Sequence, residues 1–297
     1  MALPQQKLRQ LGEAALENVE RQDWLEPLAE NVQRAVIAAF QAAGETGRRV
    51  RDFLHGTWLG HPLHPVLTDI PLGAWTVAIV LDLKGGHNGH RDRTADAAIG
   101  IGLVGAAGAA VTGLTDWQHT RSEERRLGLV HGMLNLSAAT LYATSLALRL
   151  RGARTAGRTM GALGFTVALG AAYLGGNLVY RKRIGVNHAP RISWGDYVTA
   201  LPEADLRESV PQRVDVRGIQ VVFIRRGDRI HALADSCAHL GGPLSEGQLD
   251  DVAIRCPWHG SRFALDDGAV LEGPSTFPQP CFDVRVRAGQ IEVRAQQ

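Results

Sequence analysis

Cys237-Ala-His239-Leu-Gly-Gly-Pro243 and Cys256-Pro-Trp-His259-Gly-Ser261 are the two stretches that decide how this chain reads. Each sets one thiol beside one imidazole, C-x-H in the first and C-x2-H in the second, and sixteen residues separate His239 from Cys256. Two thiolates and two imidazoles make a metal-binding set. A Cys2His2 zinc site is one candidate, but zinc knuckles usually pair like with like, C-x2-4-C and H-x3-5-H. Knuckles that mix Cys and His suit a two-iron, two-sulfide centre in which the cysteines hold one iron and the histidines the other. Each loop then gives one ligand to each iron, so the two loops grip the cluster from both sides.

The surrounding sequence has the character of a small β domain. Ile219–Ile224, Ile230–Ala234, Val252–Arg255, Phe282–Val286 and Ile291–Val293 are short runs rich in Val, Ile and Phe. Turn pairs such as Gly227-Asp228, Asp267-Gly268 and Ala288-Gly289 separate several of them. The motif closely resembles the Rieske family over about residues 190 to 297. That resemblance implies a fold of small antiparallel sheets carrying one 2Fe–2S cluster at the tip of two ligand loops, with the histidine edges near solvent.

Two departures from the respiratory members of that family stand out. Those proteins brace the cluster with a disulfide between an extra cysteine in each loop; Gly242 and Trp258 occupy the corresponding positions here. High-potential members also place a Ser and a Tyr after the second loop. Ser261 is present as an outer-shell hydrogen-bond donor, but Phe263 replaces the Tyr. Fewer donors stabilise the reduced cluster less, so the resemblance is to the ferredoxin and oxygenase type, with a potential below the respiratory one.

Ahead of this domain lie four apolar segments. Val66–Leu83 is the weakest, since Asp69, Pro71 and Asp82 confine its uncharged run to Ile70–Leu81. Ala97–Thr115, Leu127–Leu148 and Thr159–Tyr180 are charge-free and long enough to span a bilayer. Glycine, 34 residues in all, falls repeatedly inside these runs. Small residues let membrane helices approach closely. The expectation is a multidomain chain: residues 1–50, a helical segment with Val32, Val36, Ile37 and Phe40 on one face; residues 51–188, an all-α four-helix transmembrane bundle; and residues 190–297, the all-β Rieske domain.

Gly60-His61-Pro62-Leu63-His64-Pro65, Thr68-Asp69-Ile70-Pro71, Gly113-Leu-Thr-Asp116-Trp-Gln-His119 and Gly128-Leu-Val-His131 resemble an uncharacterised membrane family sometimes fused to Rieske domains. In an antiparallel bundle His55, His61, His64, His119, His131 and His188 share one end, with Asp69, Asp116 and Asn135 near the same level. Polar groups at membrane depth are costly and point to function. His61, His64, Asp69, Asp116, His119 and His131 are therefore a candidate membrane site. Three uses are open: two histidines ligating haem b, a His–Asp pair accepting protons at a quinone pocket, or hydrogen bonding to backbone freed by Pro62, Pro65 and Pro71.

The balance of the composition narrows the class. A net charge of +2 and no basic tail argue against nucleic acid. Three cysteines, two of them in the motif, fit a reducing compartment, with Cys281 a packed core thiol. The charged N-terminus lacks the apolar core of a signal peptide. Nine basic residues near the span ends on the N-terminal side against seven opposite favour a cytoplasmic Rieske domain. A complete oxygenase would need a 2-His-1-carboxylate iron site, which residues 260–297 are too few to build. The expected role is a membrane-anchored single-electron carrier between a donor and an acceptor, for example a quinone or a reductase. A redox-sensing or structural cluster and a ferredoxin component of an oxygenase system are the alternatives.

Overall fold

The computed structural model describes residues 2–84 and 89–296, which divide into two interleaved compact units. One comprises Met1–Arg48 and Leu63–Ile184; the other comprises Arg49–Pro62 and Gly185–Gln297. The division differs from a simple succession of domains. The N-terminal helices join the helical unit, while a short segment around His55 joins the β unit.

The helical unit is built from α1 (Ala2–Glu20), α2 (Leu25–Ala42), α4 (Leu63–Leu83), α5 (Gly89–Trp117), α6 (Ser122–Leu150) and α7 (Arg154–Tyr180); α3 (Gly44–His55) runs from this unit into the other. The amphipathic α2 turns Leu25, Ala29 and Gln33 inward. Gln33 Nε2 donates to the carbonyls of Trp117 (2.9 Å) and Thr120 (3.1 Å), which ties α2 to the α5–α6 corner. Among the described residues three helices are long and apolar enough to cross a membrane: α4, α5 and α7. The first apolar segment, which looked weakest, is among them. Helix α6 is not, because His131, Asn135, Ser137, Thr140, Thr144 and Ser145 dilute its charge-free run.

Helices α4–α5 and α6–α7 are two versions of one hairpin. In α6, His131, Tyr142 and Arg149 each lie 67 positions after His64, Trp75 and Asp82 of α4. In α7, Arg154, Arg158, Gly164, Ala171 and Gly175 each lie 62 positions after Asp92, Asp96, Gly102, Ala109 and Gly113 of α5. Equivalent residues meet each other. Trp75 stacks on Tyr142 with centroids 4.1 Å apart, His64 faces His131 at 6.4 Å, and Asp82 accepts from Arg149 (Oδ1 to Nη1, 3.0 Å). The next two pairs cross over, Asp96 binding Arg154 at 2.7 Å and Asp92 binding Arg158 at 2.9 Å, each residue meeting its partner's equivalent in reverse. That reciprocal pattern is what a two-fold axis between the hairpins requires. These ion pairs also explain why α5 and α7 begin well before the charge-free runs: the charged first turns are neutralised in place.

Among its described residues the β unit holds ten strands in three antiparallel sheets. One has the order β1 (Val198–Pro202), β10 (Gln290–Ala295), β9 (Phe282–Arg287). The second runs β2 (Gln212–Val216), β3 (Ile219–Arg226), β4 (Arg229–Ala234). The third runs β5 (Gln248–Leu249), β6 (Ala253–Arg255), β7 (Arg262–Ala264), β8 (Val270–Glu272). Alternation along β3 feeds two cores. Val221 and Phe223 pack with Leu201, Phe282 and Ile291, while Val222 and Ile224 pack with Leu244, Ile254, Phe263 and both motif cysteines.

Candidate iron–sulfur site

The two ligand loops are the same turn built twice. The first leaves β4, and the second joins β6 to β7. Cys237 N–H donates to Gly242 O (2.8 Å), and Gly241 N–H donates back to Cys237 O (2.8 Å). Cys256 N–H donates to Ser261 O (2.8 Å), and Gly260 N–H donates back to Cys256 O (3.1 Å). In each loop the residue four after the cysteine has positive φ, +78° at Gly241 and +82° at Gly260, where a side chain would be strained. The matched turns set Cys237 opposite Cys256 and His239 opposite His259, whose ring centroids are 5.1 Å apart and nearly perpendicular.

The donors are tuned for metal. Backbone N–H groups of His239 and Leu240 point at Cys237 sulfur, and those of Trp258 and His259 at Cys256 sulfur. Cys256 is held down to about 7, first by the hydrogen bond from Cys237 and then by those amides. Cys237, the donor of that bond and buried, is pushed up. As free thiols the two thus share a proton, and the amide cradle favours the thiolate form that binds metal. Burial, followed by the neighbouring His259, His55 and His188, holds His239 well below the usual imidazole range. It is therefore neutral, the state a ligand needs. Among the described residues no group of three or more His, Cys, Asp or Glu side chains is placed to hold a single ion. The four donors stand instead as two Cys–His knuckles. Two thiolates, two neutral imidazoles and a nest of amides fit a 2Fe–2S cluster.

Positions 242 and 258 take a different brace from a disulfide. All three cysteines are free thiols. A Cβ on Gly242 would stand 2.9 Å from the Trp258 ring and 3.0 Å from Cys256 sulfur. The indole thus lies flat against a backbone that only glycine supplies. Ser261 is fully buried, and its Oγ accepts the N–H of Ser275 (2.9 Å), which leaves its own proton to donate. Cys281 is a buried core thiol packed with Leu233 and Leu265; burial pushes it up to about 12.

Two contributions escaped the sequence reading. Gln279, 1 % exposed, spans the first loop with both ends of its amide. Its Nε2 donates to the carbonyls of Ala234 (2.6 Å) and Ser236 (2.8 Å), and its Oε1 accepts from Ala238 N–H (2.9 Å). A lone glutamine outside the motif carries no sequence signal. The second is the segment Arg49–Pro62. Buried His55 and half-buried Thr57 lie against Gly273, whose N–H reaches the Asp52 carboxyl; burial pushes that carboxyl up.

The candidate membrane residues separate. His64 and His131 come together in the helical unit. Asp69 is exposed, and Asp116 and His119 close the end of α5, where His119 N–H donates to Asp116 O (3.4 Å). His61 is exposed in the β unit, and His55 and His188 belong to that unit too.

Comparison with known proteins agrees with this geometry. Residues 196–283 match the Rieske [2Fe-2S] domain, and residues 60–188 match a family described as predicted membrane protein (DUF2231). Ferredoxin CarAc of Metapseudomonas resinovorans is 35% identical over 91 residues, covering 30% of this chain and 85% of that protein. The 3-phenylpropionate/cinnamic acid dioxygenase ferredoxin subunit of Escherichia coli is 35% identical over 95 residues, 32% of this chain and 89% of that one. Among solved structures, the ferredoxin of carbazole 1,9a-dioxygenase from Nocardioides aromaticivorans is 30% identical, covering 34% of this chain and all of that one, with a TM-score of 0.33. A Rieske domain implies a 2Fe–2S cluster. With its paired Cys–His loops and its ferredoxin relatives, the chain belongs to the Rieske 2Fe–2S family, its cluster domain following a DUF2231 membrane domain.

Proposed function

We propose that the chain is a membrane-anchored single-electron carrier of the ferredoxin type. Cys237 and Cys256 would hold one iron, and His239 and His259 the other. The observation that supports this most is the twice-built turn, which presents two amide-cradled sulfurs beside two facing imidazoles. When bound, the cluster supplies one-electron redox chemistry at neutral pH.

The protein residues do the rest. Leu244, Ile254 and Phe263 bury the cysteine side and keep water off the sulfurs. Gln279 fixes the first loop so that little rearranges when charge changes. Trp258, 49 % exposed with its ring 6.3 Å from that of His259, marks the edge where a partner can approach. Dioxygenase ferredoxin subunits among the relatives support an oxygenase-class acceptor, with a reductase as donor. Four spans and a cytoplasmic β unit complete the proposal. They rest on the four-helix pairing and on the excess of basic residues on the N-terminal side.

Paramagnetic resonance during redox titration of the purified full chain tests the reading. A reduced 2Fe–2S signal is expected, titrating in the lower part of the Rieske range of about −150 to +300 mV because Phe263 offers no hydroxyl. His239→Ala and Cys256→Ser should each abolish that signal. A colourless protein carrying zinc, or a signal indifferent to either substitution, defeats it.

A further inference from the structure

We propose that His64 and His131 are the two axial ligands of one haem, held on the two-fold axis between the helical hairpins. The proposal rests on residues of the helical unit alone and stands apart from the iron–sulfur reading.

The two imidazoles are set up identically. His64 Nδ1 lies 2.8 Å from Ala109 O on α5, and His131 Nδ1 lies 2.8 Å from Ala171 O on α7. A carbonyl only accepts, so each Nδ1 carries the proton and each Nε2 presents a lone pair. The Asn135 amide nitrogen lies beside the His131 ring, 3.1 Å from Nε2 and 3.5 Å from Nδ1, so the tautomer is set by the Ala171 carbonyl. Metal-binding histidines characteristically fix the outer ring nitrogen in this way, commonly on a backbone carbonyl. One turn beyond each accepting alanine is a glycine against which the ring rests. A Cβ on Gly113 would fall 2.8 Å from His64 Cε1, and one on Gly175 would fall 2.9 Å from His131 Cε1. The arrangement of histidine, carbonyl and glycine is thus built twice, once per hairpin.

The spacing suits a single metal atom. With metal–nitrogen bonds of about 2 Å and roughly 1 Å from nitrogen to ring centre, two imidazoles sharing one metal stand about 6 Å apart. The observed centroid separation is 6.4 Å, with the ring planes at 86°. Two ligands do not retain a bare ion, and among the described residues no third His, Cys, Asp or Glu joins them. The remaining ligands must arrive with the metal, and a porphyrin brings four nitrogens in one plane. Facing helices of a bundle are a recurrent setting for such a cofactor. Asn135 is exposed and also bonds its own helix at His131 O (2.9 Å), so it can yield Nε2 to iron without losing its place.

The test is titration of the full chain, purified in detergent, with haemin, read by optical and paramagnetic resonance spectra. One equivalent should give a sharp Soret band and a low-spin signal typical of two imidazole ligands. His64→Ala and His131→Ala should each lose the low-spin signal, with helical circular dichroism and thermal unfolding in detergent reporting that the bundle is folded. His64→Met should keep a low-spin haem with a shifted spectrum, because methionine can serve as an axial ligand. His61→Ala, in the other unit, should change nothing. Absence of any stoichiometric Soret band overturns the proposal. So does a band that survives both alanine variants, or a loss confined to quinol oxidation with no haem bound.

Discussion

Gln279 makes three hydrogen bonds with one amide, and all of them fall within the five residues from Ala234 to Ala238. Gln279→Glu keeps the shape but turns a two-proton donor into a carboxylate facing two carbonyls. The expected cost is roughly 2–5 kcal/mol, since buried groups left unsatisfied or repelled lose their full desolvation energy. It would be seen as a lower melting temperature and faster bleaching of the cluster; an unchanged melting point would refute the role. Asp250 gives a pH-dependent counterpart. Its carboxylate accepts from Arg262 Nε (2.7 Å) and from the N–H groups of Val252 and Ala253, and the Arg262 bond leads in holding it down to about 2. A depressed carboxylate contributes stability that is complete above its unfolded value near 4 and is lost as pH falls through about 2. Asp250 is 43% exposed, so screening limits the contribution to about 1 kcal/mol. The melting gap between wild type and Asp250→Asn should therefore close between pH 5 and pH 2; a constant gap would contradict this. The four residues proposed to hold the cluster stand out in the sequence because their spacing is itself the signal. Gln279 was not, because its importance comes from a fold that carries residue 279 back to residue 236.

The helices of the membrane domain are held by close approach more than by large side chains. A Cβ on Gly102 would collide with the indole of Trp75, and one on Gly164 would stand 3.1 Å from Tyr142 Cδ2. Each glycine seats one member of the aromatic stack at the bundle centre. Gly102→Leu should separate α4 from α5 at an overpacking cost of about 1–3 kcal/mol. Gly73→Leu, where nothing lies within 4 Å, should cost much less. Equal melting temperatures for the two variants would contradict the account. All four bundle helices were readable from their uncharged runs, although α6 falls short of the apolar character of the other three, and their ends were not. A scan for charge-free runs stops at Asp96 and Arg158, whereas the helices continue because each charge meets its opposite across the axis. The repeat itself stayed hidden because its key equivalents are complementary rather than identical: Trp with Tyr, Asp with Arg.

At the scale of the whole molecule, one end of the bundle is an ion-pair network. Asp82, Asp92 and Asp96 come from the first hairpin, and Arg149, Arg154 and Arg158 from the second. Arg149 is fully buried. Removing one partner, as in Arg149→Leu, leaves a buried carboxylate and should cost about 3–5 kcal/mol. Exchanging that pair alone, Asp82→Arg with Arg149→Asp, should not restore stability. Arg158 stands 3.4 Å from Asp82, and Asp96 stands 3.6 Å from Arg149, so each exchanged residue would meet its own sign. Exchanging all three acids with all three arginines should restore it, and thermal unfolding in detergent distinguishes these outcomes. The interleaving of the two units was not legible either. Residues 49–59 carry no motif and 60–62 belong to the Gly60–Pro65 motif of the helical segment, so only three-dimensional packing assigns them to the β unit. The one-sided distribution of charge has a consequence for biogenesis. A nascent chain released after α5 holds Asp82, Asp92 and Asp96 without the three arginines that pair with them in the complete bundle. It cannot borrow the missing hairpin from an identical released fragment, whose acids would repel its own. Completion of that network therefore waits until translation delivers the arginine-bearing half, which makes the second hairpin the companion the first lacks from the moment of synthesis.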